Sequence, residues 1–99
     1  MEKNYEVHVN GDIFGKTISF KGNIRNGKIV GEGEYGEEPC ISIHIEFIKR
    51  YLHSIQKVSN NRYRIVLKRE DKKKVEESIL YIKFNDDLAK FNFFSYFPE

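Results

Sequence analysis

At 99 residues and 11.8 kDa, with 39% hydrophobic and 32% charged side chains, the chain is one domain long, because a second core could not be filled at this size. Eight Phe and six Tyr exclude a disordered tail; no stretch approaches the ~18–20 continuous apolar residues of a membrane span; and Met1 to Tyr5 lacks the apolar segment of a secretory leader. The single cysteine, Cys40, excludes a disulfide framework and a thiolate-rich zinc site, so a cytoplasmic protein without membrane contact is expected over residues 1–99.

In the first third, Tyr5, Val7 and Val9 alternate with Glu6, His8 and Asn10, the period of a strand with one wet face. After a loop bracketed by Gly11-Asp12 and Gly15-Lys16, Thr17 to Ile24 resumes the alternation. Asn26-Gly27 then supplies a two-residue hairpin turn, and a third strand runs from Lys28 to about Tyr35. All seven glycines lie between Gly11 and Gly36, which marks a change of texture too early to be a domain boundary. Within this region Phe20-Lys21-Gly22, Asn26-Gly27-Lys28 and Gly31-Glu32-Gly33-Glu34-Tyr35 resemble a single MORN-type repeat. The resemblance covers residues 20–35 and implies a β-hairpin. MORN units work in tandem arrays as scaffolds for protein or lipid contacts, and no second copy is present here, so no functional residue is carried over.

From Pro39 to Val58 two periods compete. Ile41, Ile45, Ile48, Leu52 and Ile55 fall on one helical stripe, within ~80° of arc at 100° per residue. Pro39 suits a first turn, Glu37 and Glu38 suit the positive end of the macrodipole, and Lys57 the negative end. Against this, Ile41 to Phe47 alternates strictly and is β-branched, which reads as a strand. The helix is the preferred reading. Beyond it, Arg62 to Lys68 alternates, Glu70 to Lys74 makes a loop, Ser78 to Phe84 forms a strand, Asn85-Asp86-Asp87 turns, and Ala89 to Phe97 closes as a last strand. The fold expected is α+β: a two-layer sandwich in which one amphipathic helix crosses an antiparallel sheet of about six strands, βββ-α-βββ. An all-β meander or barrel is the alternative.

The net charge of +2 hides a segregation. Residues 1–46 carry five Lys/Arg against eight Asp/Glu, residues 47–75 ten against two, and residues 76–99 two against five. Cations in such a block gain from an anionic partner by steering or counterion release, whereas the pI of 8.6 is below the >9 of a dedicated nucleic-acid binder. Chemistry is sparse. Cys40 and His44 form the one catalytic-looking pair, without a third group to orient them; the Glu32 to Glu46 carboxylates lack calcium-loop spacing; and Gly31 to Gly36 lacks the βαβ context of a dinucleotide fingerprint. No enzyme, metal or cofactor is therefore expected. Phe91 to Phe97 holds five aromatics, which suit interface anchors.

The expected function is that of a small non-enzymatic protein-binding module. In length and Lys/Asn/Ile-rich composition the chain is similar to accessory proteins of phages and mobile elements that inhibit a host or defence protein by occupying its surface. The residues expected to make contact are Lys49, Arg50, His53 and Lys57 on the helix, Arg62, Arg64 and Lys68 on the next strand, and Phe94 and Tyr96 at the end. A nucleic-acid module using residues 47–75 is the alternative, a cysteine-dependent enzyme ranks below it, and a homodimer through an edge strand is a further expectation.

Overall fold

The computed structural model describes residues 4–97; Met1 to Lys3, which head the segment read above for a leader, lie outside it, as do residues 98–99. Seven antiparallel strands and two short helices follow in the order β1 (Glu6–Ile13), β2 (Lys16–Arg25), β3 (Lys28–Tyr35), β4 (Glu38–His44), α1 (Ile45–Tyr51), β5 (Leu52–Ser59), β6 (Arg62–Asp71), β7 (Lys74–Phe84) and α2 (Asp87–Phe94). They form one sheet in the order β4-β3-β2-β1-β7-β6-β5. No helix among the described residues is long and apolar enough to cross a membrane.

The first three strands lie where the alternation puts them. Asn26 and Gly27 take positive φ of 51° and 78°, the two left-handed residues of a type I′ turn, whose twist matches that of the flanking strands. The residues resembling a MORN-type unit form the β2–β3 hairpin, with Gly22 opposite Gly31 and Phe20 opposite Gly33. The Phe20 ring covers two of these glycines: a Cβ at Gly22 would stand 2.9 Å from its Cε1, and one at Gly33 would run into the Ser19 carbonyl as well as Phe20. Here the aromatic-x-Gly spacing lets strand backbones approach closely.

The middle of the chain corrects the preferred reading. Residues 39–58 are not one helix but β4, the seven-residue α1 and β5, which adds two strands to the six expected, while the last expected strand is a helix; the antiparallel sheet with helical cover holds, with seven strands and two short helices. Alternation prevails up to His44, and only Ile45 and Ile48 of the helical stripe are buried within a helix. Ile41, at 73% exposure, and Ile55 and Val58 would have been covered by a long helix and lie open instead. A register shift between Val30 and Gly33 turns both Cys40 and Ile43 inward although they are three residues apart.

α1 also fixes the shape of the sheet. Flat, seven strands would hold β4 and β5 ~29 Å apart at ~4.8 Å per step, yet the chain between them is seven helical residues, ~10 Å long at ~1.5 Å each. The sheet therefore coils until both edges meet α1, whose first amide donates to the Gly27 carbonyl (3.0 Å). The concave side holds the core: Val7, Val9, Phe20, Ile29, Ile65, Leu67, Leu80, Ile82 and Phe84 from the strands, closed by Ile45 and Ile48 of α1 and Ala89 and Phe93 of α2.

The last segment is a second correction. Ala89 to Phe97 is not a strand: the Asp86 carboxylate accepts the Ala89 amide at 2.9 Å and caps α2. The Asn-Asp-Asp triplet read as a turn is thus a helix start. Phe93, Phe94 and Phe97 then reach Phe84 and Tyr63 in one aromatic cluster. The polar run read as a loop at Glu70 to Lys74 contracts to a two-residue turn, with Lys72 and Lys73 at φ 50° and 70°.

Candidate partner-binding surface

With the hydrophobic residues of each strand turned inward, the alternating polar residues make the convex face, and strand register places them in rows. One row runs Glu32 (β3), Lys21 (β2), His8 (β1), Lys83 (β7), Arg62 (β6), each directly opposite the next. The adjacent row runs Glu34, Ser19, Asn10, Tyr81, Arg64, Gln56. The convex face is acidic at β3 and basic at β6 and β7.

The two ends differ in how their charges are satisfied. Glu6 sits between His8 (3.5 Å) and Lys21 (3.8 Å) and neutralises the middle of the first row. Arg62, Arg64 and Lys83 form no ion pair with any described residue, although Arg62 and Lys83 face each other across β6 and β7. Directly opposed like charges destabilise a strand pair. Beside them stands Tyr81, 51% exposed, and Asn10, Val58, Arg62, Tyr81 and Lys83 line a shallow hollow of about 410 Å³.

The contact residues expected from the sequence do not all meet here. Arg62, Arg64 and Lys68 share the convex face of β6, with Lys68 opposite Glu77. Lys57 pairs in register with Tyr63 and so belongs to the concave side of β5. His53 is exposed at the start of β5, and Arg50 is exposed near the end of α1, where Lys49 pairs with Glu46 at 3.3 Å. Phe94 and Tyr96 serve the fold. Phe94 packs edge-on against Tyr63 (5.0 Å) and Phe93 (5.2 Å), and the Tyr96 hydroxyl accepts the Gly27 amide at 3.1 Å. Sequence reasoning missed Lys83 and Tyr81 because it assigned residues 76–99 to an acidic flank. The signal was present in the alternation of Ser78 to Phe84, which sets Tyr81 and Lys83 opposite Leu80, Ile82 and Phe84.

β5 is a sheet edge with every residue from His53 to Ser59 exposed. Register shifts at both of its ends leave Ser54 to Lys57 as the regularly paired stretch, and such irregularities oppose edge-to-edge pairing. Cys40 and His44, which the expected helix would have carried, both lie on β4 before α1 begins, and the thiol donates to the Ser42 carbonyl at 3.5 Å. Among the described residues no three His, Cys, Asp or Glu side chains converge as a metal site would need. Comparison with known proteins finds no matching family, no similar curated protein and no similar solved structure.

Proposed function

We propose that this protein is a non-enzymatic binding module that occupies the surface of a protein partner, with the β6–β7 end of its convex face in contact with acidic side chains. The observation that carries this reading is the trio Arg62, Arg64 and Lys83, held together by register and forming no ion pair with any described residue. Opposed cations that form no ion pair within the domain are complementary to an anionic surface that would offset them. The acidic row end at Glu32 and Glu34 favours a protein over nucleic acid, because a phosphate backbone laid across the sheet would meet like charge within a few strands, whereas a protein can match both ends. Such a partner could be a host or defence protein inhibited by occupancy, and a cytoplasmic setting fits the free thiol.

Affinity capture from nuclease-treated lysate, with the wild type and Arg62→Glu/Arg64→Glu side by side, tests this. The expected result is a protein retained by the wild type, released as salt rises, and absent from the folded variant. Identical retention by both would remove the basic face from the interaction. A second reading rests on Tyr81, whose exposed ring among three cations is the arrangement on which single-stranded bases stack. Anisotropy of labelled single-stranded DNA and RNA at low and physiological salt decides it: steeply salt-dependent binding supports it, and none at low salt eliminates it.

A further inference from the structure

A second concavity lies on the opposite side of the molecule from the cationic trio's face. It is a hollow of about 580 Å³ where the β1–β2 turn, β4 and α1 come together, inside the ~300–1,000 Å³ range of small-ligand sites. Ile18, Ile43, Phe14 and Phe47 supply apolar wall, and Lys16 and Arg69 are the cations that line it.

The walls are held in place by specific contacts. Phe14 sits at φ 46°, a left-handed backbone that a bulky side chain rarely adopts and that is retained where surroundings over-determine it. Its amide donates to the buried Ser78 hydroxyl at 2.6 Å, its ring meets Phe47 and Tyr51 edge-on at 6.1 and 5.5 Å, and the Arg69 guanidinium stacks on it at 4.0 Å. Arg69 is fixed in turn by Nε donating to Glu76 at 3.0 Å. Its two terminal amino groups make no hydrogen bond to a described residue. On the other side Tyr35 donates to the Ile13 carbonyl at 2.8 Å, and Lys16 reaches over the Tyr35 ring at 5.4 Å. Burial pushes the Tyr35 hydroxyl above its usual range, with nearby Arg69 acting the other way. The result is an apolar cup with two cations at its lining, one of them anchored and still holding donors.

We propose that this hollow binds a small apolar monocarboxylate of the medium-chain fatty-acid class, its hydrocarbon among Phe14, Ile18, Ile43 and Phe47 and its carboxylate on Arg69 and Lys16. The occupant follows from charge complementarity. An uncharged hydrocarbon would gain nothing from Arg69 and Lys16, and a polyanion would bring its further charges against Asp12 and Glu76 nearby. The site shares no lining residue with the Arg62, Arg64 and Lys83 surface, so it stands or falls independently of the partner reading.

Cys40, the chain's one cysteine, lines the hollow and reports its occupancy. The experiment is the rate of Cys40 alkylation by iodoacetamide on the full chain, titrated with decanoate below its micellar range and, in parallel, with decanol. Decanoate is expected to slow alkylation saturably by at least fivefold, with half-effect at a concentration at least tenfold lower than for decanol. Lys16→Glu, at an exposed residue, is expected to raise the decanoate half-effect concentration at least tenfold while circular dichroism stays unchanged. An alkylation rate indifferent to decanoate overturns the site. Equal protection by decanol and decanoate, or an unchanged half-effect in Lys16→Glu, overturns the recognition of the carboxylate.

Discussion

Lys83→Glu is expected to stabilise the folded domain, although Lys83 is exposed and buries nothing. In the wild type its side chain stands directly opposite Arg62 on β6 and His8 on β1, on the same face of the sheet. Reversal removes a like-charge pair and installs an opposite-charge pair at the same cross-strand position, each worth ~0.2–1 kcal/mol. Solvent screening discounts both terms, and the net gain is about 1 kcal/mol. For a domain of this size that raises Tm by roughly 4–8 °C. Urea denaturation should show a higher midpoint at an unchanged m-value. Because the gain is electrostatic, it should shrink as the Debye length falls from ~30 Å at 0.01 M salt to ~3 Å at 1 M. A variant less stable than the wild type, or a gain indifferent to salt, would show that the trio is not strained by its own charge and would undercut the argument for an anionic partner.

Three further outcomes are expected. Ile48→Ala removes a fully buried side chain from the helix that joins the two sheet edges, and denaturant midpoints should report a loss of ~2–5 kcal/mol. Lys72→Asn with Lys73→Gly relieves two left-handed lysines in the β6–β7 turn and should raise stability by about 1 kcal/mol, seen as a higher Tm. Tyr35, raised above its ordinary 10.0 chiefly by burial, should contribute an ionisation above pH 10 to an alkaline absorbance titration, and Tyr35→Phe should remove that component. The sign follows from linkage: the raised group binds its proton more tightly folded than unfolded. Its contribution is therefore complete below pH 10 and is lost as pH climbs through the folded value.

How far the residues announce this structure depends on whether local and tertiary signals agree. Val7 and Val9, Ile18 and Phe20, and Asn26-Gly27 have a period and a turn type that point one way, and β1 to β3 follow them. Between Pro39 and Val58 the same isoleucines satisfy both periods, and the deciding fact is nonlocal: Ile29 offers Ile43 a strand partner across the β3–β4 ladder. In Ala89 to Phe97 aromatic content favoured a strand, but the Asp86 cap and the burial of Ala89 and Phe93 four residues apart belong to a helix. The basic segment was legible as charge, and Arg62 and Arg64 were named from it. Lys83 and Tyr81 were not, since only the β6–β7 pairing brings them beside those arginines. The apolar hollow was invisible for the same reason, its lining being drawn from β1, β2, β3, β4, α1 and β6.

The proposed contact between the convex face at β6 and β7 and an acidic protein surface is tested most directly by a two-dimensional amide NMR titration of the labelled domain with a Glu/Asp-rich peptide at low salt. Shifts concentrated at Arg62, Arg64, Tyr81 and Lys83, and abolished in Arg62→Glu/Arg64→Glu, are the predicted result. Shifts centred instead on Lys49 and Arg50 of α1, or a spectrum the peptide does not change, would contradict it.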